Sequence, residues 1–137
     1  MAFLLIAMLC APAWAEPTGG TQTEEGLRMA TEAAERLGLD CTGQGIFGQG
    51  HAEYHQSYRR MENKLGTDCC SDGDCRPTRA VFDGETEMWL ACLNERPILI
   101  PSAVHVKDAF GLSEFASICA DPIFSTLYCF VPPYSGG

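Results

Sequence analysis

Asp68-Cys69-Cys70-Ser71-Asp72-Gly73-Asp74-Cys75 is the stretch on which the fold turns. Three of the chain's eight cysteines fall in it, among three aspartates and a glycine. The run has neither helical nor strand periodicity and is rich in turn formers, so it reads as a tight loop pinned by disulfides. Upstream of it the apolar residues recur at helical spacing; downstream they come in short runs broken by Gly and Pro.

Upstream, Thr21-x-x-Glu24 has the form of a capping box, and Thr23 is a second candidate cap. Leu27, Ala30, Ala34 and Leu37 then follow at steps of three and four, and Gly38 suits the residue after a helix end. A glycine-rich linker follows, Thr42 to Gly50, and a second helix is expected from about His51 to Leu65. His51, Tyr54, Tyr58, Met61 and Leu65 share one face of that helix, and His55 borders it. The linker contains Gly43-x-Gly45-x-x-Gly48, but a dinucleotide loop must follow a strand, and a helix precedes this one.

Downstream, Thr78–Phe82 and Glu85–Leu93 read as a hairpin turned by Asp83-Gly84. Ile98–Ile100 is a further strand, and the segment 101–108 holds a helical turn carrying His105. Phe115–Cys119 and Leu127–Val131 are the last strands, ended by Pro132-Pro133. The fold class is therefore α+β: two N-terminal helices packed on a small antiparallel sheet and stabilised by disulfides.

The beginning of the chain gives the compartment. Ala2–Leu9 is a short apolar run closing on Ala13-Trp14-Ala15, the small-residue pattern of signal-peptide cleavage. Residues 1–15 are expected to be a signal peptide, 16–50 the first helix and linker, 51–133 the second helix with the β domain, and 134–137 a tail. Cleavage would remove Cys10 and leave seven cysteines for a periplasmic or extracellular, oxidising environment. Seven is odd, so one must lie outside the intramolecular bridges. Nine Lys+Arg against eighteen Asp+Glu give a net charge of −9, which disfavours nucleic acid and anionic membrane as partners.

His51-x-x-Tyr54, Cys69-Cys70-Ser71-x-x-Asp74-Cys75-Arg76-Pro77-Thr78 and Cys129-Phe130-Val131-Pro132-Pro133 together resemble a group of small exported proteins common in alphaproteobacteria. The resemblance spans roughly His51 to Pro133. It implies export and a cysteine-pinned β domain, and brings no activity, substrate or cofactor. Cys41 and Cys92 lie outside its pattern and are expected to form an extra bridge. Cys119 and Cys129 flank the Asp121-Pro122 turn and are expected to face each other across adjacent strands as a second bridge. That leaves one of Cys69, Cys70 and Cys75 over, and because two adjacent cysteines on a pinned turn cannot easily both reach distant partners, Cys69 or Cys70 is the expected odd thiol.

Chemistry, if present, belongs there. His51 and His55 lie one turn apart, and imidazole with thiolate suits zinc or copper. The candidate ligands are His51, His55 and Cys69, with Cys41, Cys70, Cys75, Cys92, Cys119 and Cys129 assigned to bridges. The plain alternative is two hydrogen-bonded histidines on an amphipathic face, with no cofactor. A thiol–disulfide enzyme would need the C-x-x-C that this chain lacks. A Cys/His nucleophile would need an unbridged thiol near His51, with Asp74 as orienter. Asp72-Gly73-Asp74 lacks the glycine and glutamate positions of a calcium loop. The sequence thus reads first as an exported structural or protein-binding module, with an unknown protein partner and an enzyme disfavoured. A metal-binding protein or thiol-dependent enzyme is the alternative.

Overall fold

The computed structural model describes residues 22–70, 75–108, 114–123 and 126–134. The signal-peptide expectation, Thr21 and residues Ser71–Asp74 lie outside these.

Helix α1 runs Glu24–Leu37. Thr23 caps it by accepting from the Gly26 amide at 3.0 Å, and Gly38 ends it in the left-handed conformation. Its buried face is Ala30, Ala33 and Ala34, small enough to bring the helix close to the sheet residues Leu90 and Leu99. That sheet is β2 (Ala80–Asp83), β3 (Met88–Leu93) and β4 (Arg96–Ile100), antiparallel and in chain order. Asp83, 0% exposed, accepts from Arg36 of α1 at 2.9 Å and ties helix to sheet.

The downstream strands form a second sheet, so the single sheet expected from the sequence is two. Strands β1 (Cys75–Thr78), β5 (Ala116–Ala120) and β6 (Leu127–Val131) pair antiparallel in the order β1-β5-β6. The expected strand Thr78–Phe82 is cut at Arg79, and its two halves join different sheets. Alternation then sets the layers. Ala91, Leu93, Ile98 and Ile100 of one sheet meet Ala116, Ile118, Ala120 and Phe130 of the other in one apolar cluster. The opposite face of β1-β5-β6 presents Cys75, Cys119, Cys129 and Val131 to Tyr58 and Met61.

The glycine-rich linker is a packed ribbon. Gly45 O accepts from the amide of Asn94 (2.8 Å) and from Nε of the fully buried Arg76 (3.2 Å), while Gln44 O accepts from the Glu95 amide (3.0 Å). Asn94 and Glu95 both have positive φ and form the two-residue β3–β4 turn. Their unusual conformation is held by the linker laid over them, and Cys41–Cys92 clamps the same contact.

Helix α2 spans His51–Tyr58, about half the length expected from its periodicity. Its continuation is diverted by Asn63, which is 3% exposed. The Asn63 side-chain oxygen accepts from the Leu65 and Thr67 amides, and its amide nitrogen donates to Tyr128 O at 2.8 Å. Such local side-chain bonds compete with helix. The chain therefore turns and returns as the extended segment carrying Cys69 and Cys70.

Candidate metal centre

Three disulfides form: Cys41–Cys92, Cys69–Cys129 and Cys75–Cys119. Cys41 and Cys92 join as expected. The proposed Cys119–Cys129 bridge does not form, although the two residues do sit opposite each other in register. Cys119 lies on the central strand with a cysteine across each edge, and it bonds to Cys75 on β1. Cys129 bonds to Cys69.

The roles expected of Cys69 and Cys70 are therefore exchanged. Successive side chains of an extended segment point to opposite sides. Cys69, 1% exposed, faces the sheet and is consumed in a bridge, so it is no metal ligand. Cys70 lies outside the three bridges, half-buried and turned toward α2.

His51 and His55 meet Cys70 there. The one-turn spacing on α2 brings His51 Nε2 within 2.9 Å of His55 Nδ1. Cys70 Sγ is 4.0 Å from the former and 3.9 Å from the latter. These three are the cluster of metal-ligating groups found among the described residues, with all donor atoms within 4.8 Å of one another. An ion about 2.05 Å from each nitrogen would stand about 2.3 Å from the sulfur, matching zinc's bond lengths to imidazole and thiolate.

The surroundings prepare the first ligand. His51 Nδ1 lies 2.6 Å from the carbonyl oxygen of Cys75, which can only accept. In the neutral ring that contact places the proton on Nδ1 and turns the Nε2 lone pair toward the cluster, as metal-binding histidines are commonly held by a carbonyl on their other nitrogen. Cys75 is itself fixed by its bridge to Cys119. With Nε2 of His51 accepting, a neutral His55 donates to it from Nδ1; to bind an ion there, that proton has to sit on the other ring nitrogen and Cys70 has to bind as the thiolate.

Beneath the cluster lies Tyr58, 0% exposed, its ring 5.7 Å from that of His51. Burial pushes its phenol up to about 12, and its hydroxyl is 3.1 Å from Ser117 Oγ. Tyr54 packs edge-on against Phe115 at 4.8 Å, adding an aromatic wall. His105 stands apart from the cluster against Phe130, its pKa lowered by burial and by Lys64.

The arrangement brings one thiol within sulfur hydrogen-bond reach of two imidazoles, the donor set of a transition-metal site. Asp74, the expected orienter, lies outside the described residues. The histidine pair was visible in the sequence; Cys70 as its thiol and the Cys75 carbonyl as its orienter were not.

Comparison with known proteins finds no matching family model, no similar curated protein and no similar solved structure. The chain is a small disulfide-rich α+β domain. Among the described residues no helix is long and apolar enough to cross a membrane, and the three disulfides are consistent with an oxidising location outside the cytoplasm.

Proposed function

We propose that this protein is an exported transition-metal-binding domain that holds one zinc or copper ion through His51 Nε2, His55 Nδ1 and Cys70 Sγ. The observation that carries the reading is the convergence of these three donors, with His51 already turned to present its lone pair. Export through residues 1–15 to the periplasm or exterior is part of the same reading. Its support is the cleavage pattern at Ala13-Trp14-Ala15 and the three bridges. In this reading the disulfides are scaffold: they hold the Cys75 carbonyl and the Cys69 backbone, between which the ligands are fixed.

The test is anaerobic titration of the tag-free, fully oxidised chain with Co(II) and Zn(II). One equivalent should bind, and the cobalt form should show thiolate-to-metal charge transfer. His51→Ala, His55→Ala and Cys70→Ser should each weaken binding by more than the ~10–100-fold that follows loss of a group merely hydrogen-bonded to a ligand. Binding that survives Cys70→Ser unchanged, or no binding at all, would overturn the proposal.

A further inference from the structure

We infer that the site is gated by oxidation: when it is empty, Cys70 exchanges with a small disulfide from solution, and the mixed disulfide so formed shuts the ion out. The inference rests on the metal-binding reading above and goes further in naming what regulates the site.

Cys70 stands outside the three bridges, and its side chain is only half-buried. The six bridged cysteines are all buried. Among the described residues, Cys70 is therefore the sulfur that a disulfide arriving from solution meets. The chain's own nearest bridge competes poorly for it. Cys69, 1% exposed and bonded to Cys129, points to the opposite side of the extended segment, so attack there needs the segment to turn over. A second copy is a poorer partner still, because two half-buried sulfurs would have to meet at about 2.05 Å with a folded surface behind each. A small disulfide brings no such surface.

The exchange is balanced in atoms and electrons. The Cys70 thiolate attacks one sulfur of the small disulfide, a new sulfur–sulfur bond forms, and the old one breaks. The other half leaves as a thiolate and takes up the proton that Cys70 gave. Cys70 is oxidised, and one sulfur of the reagent is reduced to a thiol. A sulfur held this way is no longer a thiolate ligand, and a sulfur bound to an ion has its attacking lone pair engaged. Each state excludes the other, whatever further groups complete the ion's shell. The oxidising conditions in which the three bridges persist are those in which small disulfides form.

The experiment uses the full chain, bridges intact and metal removed, with bis(2-hydroxyethyl) disulfide as the probe. Intact mass should show one adduct per chain, and peptide mapping of the unmutated protein should place it on Cys70. Free Zn(II) at ~100 times its separately measured Kd should slow the reaction about 100-fold, since only the empty site exchanges. The chain carrying the adduct should lose its equivalent of zinc. No adduct, an adduct on another cysteine, a covalent dimer, or a rate that bound zinc leaves unchanged would each overturn the inference. In each of those cases the metal reading survives, because zinc binding is measured on its own. If zinc does not bind, both fall.

Discussion

Cys69 and Cys70 are neighbours with the same side chain and opposite fates. One is locked to Cys129 beneath the chain; the other looks out at two histidines. The spacing of His51 and His55 is a property of sequence, and it was legible. Which member of an adjacent cysteine pair faces the sheet is a property of register, and nothing in the two residues marks it. The Cys75 carbonyl that orients His51 is a backbone atom and carries no signature at all. Gly45 is a different case, because its identity answers a physical demand. It has φ +64°, and a Cβ there would stand 2.0 Å from the Cys92 carbonyl oxygen. Gly45→Ala should therefore cost more than the ~1–2 kcal/mol of a left-handed alanine alone. The loss would appear as a lowered denaturant midpoint at unchanged slope. A variant within about 0.5 kcal/mol of the parent would show that the linker does not dock as described.

Among the elements, α1 was the most legible: its apolar spacing and terminating Gly38 agree with the structure. The cap is the second candidate, Thr23, with Glu24 already the first helical residue instead of the partner of a Thr21 capping box. The hairpin of β2 and β3 was legible in kind but not in detail. Asp83-Gly84 was expected to make a two-residue turn, yet Asp83 pairs with Met88 and four residues bridge them. The carboxylate decides this: Asp83 accepts from the Glu85 amide and the Thr86 hydroxyl and extends the loop. The Arg36 guanidinium beside it, aided by those two donors and opposed by burial, holds the Asp83 carboxyl below its ordinary value. A depressed pKa stabilises the fold above the unfolded-state value of about 3.9, and that contribution disappears as pH falls through the lower folded value. Asp83→Asn should therefore lower stability at neutral pH. It should also lose less than the parent as unfolding is followed from pH ~5 down to pH ~2. Parallel stability–pH curves for the two would remove the ion pair from the account.

At the scale of the whole molecule, the disulfides divide the labour. Cys41–Cys92 fastens the linker to the sheet beneath α1, while Cys69–Cys129 and Cys75–Cys119 fasten the outer face of the other sheet. Each contributes on the order of 2–4 kcal/mol by restricting the unfolded chain. The pairings were the least legible feature, since one central strand offers Cys119 a partner on either side. The division of strands between two sheets was hidden for a related reason: a single residue, Arg79, separates strands that diverge, and hydrophobic period alone does not see it. What the architecture delivers is one side of the molecule where helix α2, the Cys69–Cys70 segment and β1 meet, and there the three donors gather. An anomalous difference map at the zinc edge, from a crystal of the zinc-loaded full chain, tests this most directly. The account predicts a peak about 2.0–2.3 Å from His51 Nε2, His55 Nδ1 and Cys70 Sγ. A map with no peak there, or with Cys70 drawn into a disulfide, would contradict it.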